Sequence, residues 1–131
     1  MTQKTRILIF DDDRDSVGIY SKVLQSKGYD VFTRAHCLDC IEVVGFFHPD
    51  VIFMDHNMPG KCGLEAVASL KSHAEFRSIP IVYFSANNDI KALAQEAGAD
   101  AFLAKPFDLE ELEKVIEKLM DEQPEADAVK E

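Results

Sequence analysis

No apolar run in the chain approaches the ~20 residues that a membrane span requires. The first residues, Met1–Arg6, lack the layout of a signal peptide. The simplest expectation is a cytoplasmic protein with no membrane partner. Cysteine is scarce, with three residues, Cys37, Cys40 and Cys62. An odd count in a chain without a leader argues against a disulfide scaffold. Cys37 and Cys40 form a CxxC behind His36, but no second ligand pair is spaced to complete a zinc site. The redox surroundings of a thioredoxin-like motif are missing too, so the cysteines read as incidental helix residues. Basic residues are outnumbered, 14 against 24 acidic ones, for a formal net charge of −10. Between Asp108 and Glu131 ten acids face three lysines. Such a surface repels the phosphate backbone, which argues against direct nucleic-acid binding. The acidic run itself reads as a solvated helix face followed by a soluble tail.

What is present is one domain's worth of chain. A length of 131 residues allows one core and is too short for two. A domain is expected over residues 1–122. Residues 123–131, with Pro124 and no apolar periodicity, read as a flexible acidic tail. Five short apolar runs stand out: Arg6–Phe10, Asp30–Thr33, Val51–Met54, Pro80–Phe84 and Ala101–Ala104. The first, third and fourth are continuous rather than alternating, as in strands covered on both faces.

Between the runs the spacing becomes helical. Val17, Tyr20 and Leu24 mark a first helix, with Gly28 at its C-terminal cap. Leu38, Ile41 and Val44 mark a second, ended by His48-Pro49. Leu64, Val67 and Leu70 mark a third. Ile90, Leu93 and Ala97 mark a fourth, closed by Gly98. Leu109, Leu112, Val115 or Ile116, and Leu119 mark a fifth, with Asp108 and Glu111 as a capping pair at its start. Strict alternation of strand and helix implies an α/β fold, a parallel sheet covered by helices on both faces.

Ligands of such sheets bind beyond the carboxyl ends of the strands. Asp11, Asp12 and Asp13 follow the first predicted strand, Asp55 the third, Ser85 the fourth, and Lys105-Pro106 the fifth. Acids, a hydroxyl and a lysine thus converge on one edge from four strands. Asp11, Asp12 and Asp55 must bind a cation, share protons or pair with Lys105. Hard oxygen ligands that leave room for water and phosphate suit Mg²⁺. A carboxylate facing a metal-bound phosphoryl donor can attack it in line. Lys105 can neutralise one phosphoryl oxygen and Ser85 can donate a hydrogen bond to another. Asp13 and Asp15 are read as helix-start acids.

The stretches ILIFDDD, MDHNMPGKCG, FSA and AFLAKPF, in that order and at these spacings, resemble bacterial response-regulator receiver domains from Arg6 to about Met120. The resemblance implies a doubly wound, flavodoxin-like (βα)5 fold with strand order 2-1-3-4-5. It implies that Asp55, which opens the pattern D-x-x-M-P-x-x-x-G ending at Gly63, is the phosphoacceptor. Asp12 would ligate Mg²⁺ directly, Asp11 through water, and Asn57 through its backbone carbonyl. Ser85 would be the switch hydroxyl, Lys105 the phosphate's partner and Phe102 the aromatic switch residue. The Lys105-Pro106 bond would be cis, and Asn57 and Asn87 would influence the lifetime of the phosphorylated form. Pro59 and Gly63 would shape the loop and the start of the third helix, and His56 reads chiefly as a surface histidine. The implied partners are a sensor histidine kinase or histidine phosphotransfer protein upstream and a protein effector downstream. The chain would be a monomer or a weak homodimer through its fourth helix, fifth strand and fifth helix. Its only reactions would be self-phosphorylation and slow autodephosphorylation, without enzymatic turnover. A stand-alone receiver is favoured, because the last helix ends EKVIEKLMDE without the arginines that usually precede a winged-helix domain.

Two other classes compete. Asp11-x-Asp13 superficially fits the D-x-D of a haloacid-dehalogenase-like phosphatase, but Arg14-Asp15 follows where Gly-Thr is expected. A binding module, either a pseudo-receiver or a flavodoxin, is the other. A pseudo-receiver usually lacks part of the acidic set, and three consecutive aspartates would repel a flavin phosphate.

Overall fold

Strands and helices alternate among the described residues, 4–58, 62–86 and 89–121, of a computed structural model. The order is β1 (Arg6–Phe10), α1 (Arg14–Ser26), β2 (Asp30–Arg34), α2 (Cys40–Phe47), β3 (Val51–Asp55), α3 (Cys62–Ser72), β4 (Ile81–Ser85), α4 (Ile90–Ala97), β5 (Ala101–Ala104) and α5 (Leu109–Asp121). The strands form one parallel sheet in the order β2-β1-β3-β4-β5, as the resemblance implied. The readings of Pro59, Asn87 and the tail 123–131 lie outside the described residues.

Side chains alternate between the faces of a strand, and that alternation sorts the core into two layers. Leu8, Phe10, Ile52, Met54, Ile81 and Tyr83 pack with α2, α3 and α4. Ile7, Ile9, Val51, Phe53, Val82, Phe84 and Leu103 pack with α1 and α5. The central strands are buried on both faces, which is why their sequences are continuously apolar.

Helix ends follow their sequence signals. Asp13 caps α1, accepting from the Ser16 amide at 3.4 Å and the Ser16 hydroxyl at 2.9 Å. Gly98 closes α4 at φ 86°, a left-handed conformation that glycine adopts at no steric cost, and its amide donates to Ala94. Asp108 accepts from the Glu111 amide at 2.8 Å and Glu111 from the Asp108 amide at 3.0 Å, the reciprocal pair expected at the start of α5.

Two expectations need correction. The second helix begins at Cys40, and Leu38 is 79% exposed before it. Asp39 stands at the N-cap position and its carboxylate pairs with Arg34 at 2.7 Å, so the chain is still turning away from β2 at residue 38. The cysteines are also not uniformly incidental. Cys37 is disulfide-bonded, whereas Cys40 is a free, buried thiol whose pKa burial pushes up. The CxxC is therefore not a dithiol pair.

Candidate functional site

β3 and β4 each run one residue beyond the apolar stretch, so Asp55 and Ser85 are the last residues of their strands rather than the first beyond them. The ladder continues past them. The His56 amide donates to the Phe84 carbonyl at 3.0 Å, and the Lys105 amide to the Ser85 carbonyl at 2.8 Å. These bonds fix where the chain leaves the sheet. Asp55 shares the strand alternation of Val51 and Phe53, which face α1 and α5. Asp11 lies two residues beyond Ile9, and Lys105 two beyond Leu103, on that same face.

The carboxylates of Asp11, Asp12 and Asp55 lie within 4.8 Å of one another. Asp11 and Asp55 are buried, each 3% exposed, and Asp12 is exposed. The Lys105 ammonium lies 3.2 Å from Asp11 Oδ2 and 3.5 Å from Asp55 Oδ2, and sits 4.9 Å from the centre of the Phe84 ring. One cation among three carboxylates leaves a deficit of positive charge. Its mark is on Asp55, whose pKa is pushed up to about 6 by burial first and the Asp11 charge second, against the pull of Lys105. Burial works to lower the Lys105 pKa, but the Asp55 and Asp11 charges together raise it. Oxygen donors that are short of positive charge and open to solvent on the Asp12 side fit a hard divalent cation such as Mg²⁺.

Ser85 is fully buried, and its hydroxyl accepts from Asn57 Nδ2 at 2.9 Å. The Asn57 amide in turn donates to Asp55 Oδ1 at 3.3 Å. Asn57 thus ties Ser85 of β4 to the residues that follow Asp55. Phe102 is not part of the cluster. It is 43% exposed on edge strand β5, in register with Tyr83 of β4. Lys105-Pro106 is cis. His56, read as a surface histidine, is half-buried, with Nδ1 2.6 Å from the Tyr83 hydroxyl. Only the register of β3 and β4 brings these residues, 27 apart in sequence, together. The Tyr83 pKa is pushed up to about 12, by burial first and then by the Asp55 charge.

The profile of the response regulator receiver domain family matches residues 7–117. The chain belongs to this family, the receiver domains of two-component phosphorelay signalling. It is 30% identical over 109 residues to protein PilG of Pseudomonas aeruginosa, covering 82% of this chain and 81% of that protein. The chemotaxis response regulator CheY4 of Vibrio cholerae is 28% identical, with a TM-score of 0.81 over 89% of this chain and 99% of that one. Response regulator TrrA of Thermotoga maritima, solved in complex with Mg²⁺-BeF, shares the fold with a TM-score of 0.77 at 24% identity, over 88% and 98% of the two chains. The chain spans about half or less of several longer relatives named as regulatory or transcriptional regulatory proteins. Receiver domains bind Mg²⁺ at an acidic pocket and interact with histidine kinases or phosphotransfer proteins and with effectors. The phosphatase and binding-module alternatives are not favoured. Asp13, which the phosphatase motif would need, is committed to capping α1. No helix among the described residues is long and apolar enough to cross a membrane.

Proposed function

We propose that Asp55 accepts a phosphoryl group from the phosphohistidine of a sensor kinase or phosphotransfer protein. The observation that carries this reading is Asp55 itself: a buried carboxylate at a strand end, within 4.8 Å of two more and 3.5 Å from a lysine. An Asp55 carboxylate oxygen attacks phosphorus in line. The P–N bond of the donor breaks, and the departing imidazole keeps the electron pair and takes a proton. Asp11, Asp12, Asp55 and the Asn57 carbonyl would hold Mg²⁺, which supplies neutralising charge when bound. Lys105 pairs with one oxygen of the aspartyl phosphate, and Ser85 leaves Asn57 to donate to another. That movement opens space behind β4 for Phe102 to rotate inward, altering the surface of α4, β5 and α5 that a downstream protein reads. Acetyl phosphate with Mg²⁺ should add one phosphoryl group, seen by intact mass, and Asp55→Asn should accept none. Equal labelling of the variant would remove Asp55 from the mechanism.

A further inference from the structure

The chain leaves the sheet after Asp55, yet its next two residues remain tied to β4. His56 Nδ1 lies 2.6 Å from the Tyr83 hydroxyl, with the rings edge-on at 73°. With the imidazole proton on Nε2, the hydroxyl donates and Nδ1 accepts. Asn57 Nδ2 donates to Ser85. Tyr83 and Ser85 are alternate residues of one strand and share a face. Two successive loop residues therefore hold two successive positions of that face.

The Tyr83 hydroxyl fills the gap between the end of β3 and the first turn of α3. A Cβ on Gly63 would come within 2.9 Å of that hydroxyl and 3.0 Å of the Asp55 carbonyl. Beside the loop, the described residues leave an opening. A cleft of about 260 Å³ lined by His56, Asn57, Met58 and Leu64 lies there. Met58 is buried in the core, but Asn57 is exposed. Among the described residues, polar ties to Tyr83, Ser85, Phe84 and Asp55 hold residues 56 and 57.

We propose that His56 and Tyr83 form a positioning pair for phosphoryl transfer. Their hydrogen bond fixes the backbone immediately after the phosphoacceptor, and through it Asn57, the residue that both partners Ser85 and offers a carbonyl to the metal. The inference rests on the reading of Asp55 as phosphoacceptor. Neither His56 nor Tyr83 touches the transferred group. Without their bond, residues 56 and 57 sample other conformations, the metal site is assembled for less of the time, and transfer slows.

Tyr83→Phe removes the hydroxyl and keeps the ring. His56→Ala removes the acceptor, and His56→Gln keeps an oxygen that can accept. Labelling by acetyl phosphate is followed across Mg²⁺ concentrations, with Mg²⁺ affinity read separately by NMR titration. The expected result is a loss of roughly 10-fold or more in labelling rate at low Mg²⁺, with weaker Mg²⁺ binding, for Tyr83→Phe and His56→Ala. His56→Gln should recover most of the loss, and the double variant should be no slower than the worse single one. A merely structural pair would lower the melting temperature while leaving Mg²⁺ affinity and labelling rate at wild-type values, and that result overturns the proposal. Failure of the wild type itself to label would instead overturn the assignment of Asp55 and this inference with it.

Discussion

Burial and the Asp11 charge hold the Asp55 pKa near 6, above its ordinary value of 3.8. Between those two pH values the folded protein keeps a proton that the unfolded chain has lost. Stability must therefore fall as pH rises through this window, and the penalty is fully present above it. In chelator, wild type should lose on the order of 1–3 kcal/mol relative to Asp55→Asn between pH 4 and pH 7. Urea unfolding of both proteins across that range measures the difference, and a constant gap would show that Asp55 is not strained by its surroundings. The strand-end position of Asp11, Asp55, Ser85 and Lys105 was legible in the sequence, because in a parallel sheet whatever follows an apolar run gathers at one edge. Partners that depend on strand register were not legible. His56 with Tyr83, and the Asn57 amide with Ser85, join residues 27 and 28 apart whose meeting no local pattern announces.

Individual elements are held in place by bonds at their ends. Lys71, in the last turn of α3, donates to the carbonyls of Arg77 and Ile79, both at 3.1 Å, and pairs with Asp100 at 2.6 Å. Asp100 also accepts from the Ile81 amide at 2.8 Å. One ammonium thus ties the end of α3, the start of β4 and the turn into β5. Lys71→Met should cost about 1–3 kcal/mol in thermal or urea unfolding, since the carbonyls lose a charged donor while the stem is kept. A change within experimental error would mean that water replaces the ammonium. All five helices and all five strands could be read from periodicity and their caps, and the errors lie at the ends. Leu38 fits the spacing of α2 but stands outside it, because the Asp39–Arg34 pair governs the turn before the helix. Pro80 belongs to the apolar run but lies outside β4, whose first residue is Ile81. A proline has no amide proton to give to a ladder.

At the scale of the whole molecule, the edge that gathers the acids also joins the two faces of the sheet. Asp11, Asp55 and Lys105 belong to the α1 and α5 side, whereas Ser85 and Phe102 share the alternation of Tyr83 on the other. A group bound to Asp55 can therefore be felt across β4. A groove of about 290 Å³, lined by Phe102, Val115, Lys118 and Leu119 among others, runs between β5 and α5 and leaves that region room to change. Binding of Mg²⁺ to the folded state alone should raise stability by about 2.7 kcal/mol at 100 times its dissociation constant. Asp12→Ala should weaken that gain, as a melting titration with MgCl₂ would show; an equal gain in the variant would place the ion elsewhere. Turning a 1:99 population of states into 99:1 takes roughly 5.5 kcal/mol of differential interaction. Charge-assisted bonds from Ser85 and Lys105, at about 1.5–3 kcal/mol each, come close to that sum. The direct measurement is an amide NMR spectrum with and without beryllofluoride and Mg²⁺. The expected result is large shifts across Ile90–Ala97 and Ala101–Ala104, reduced in Ser85→Ala at the same occupancy of Asp55. Full occupancy of Asp55 with both segments unmoved would contradict the account, leaving a carrier of phosphate and no switch.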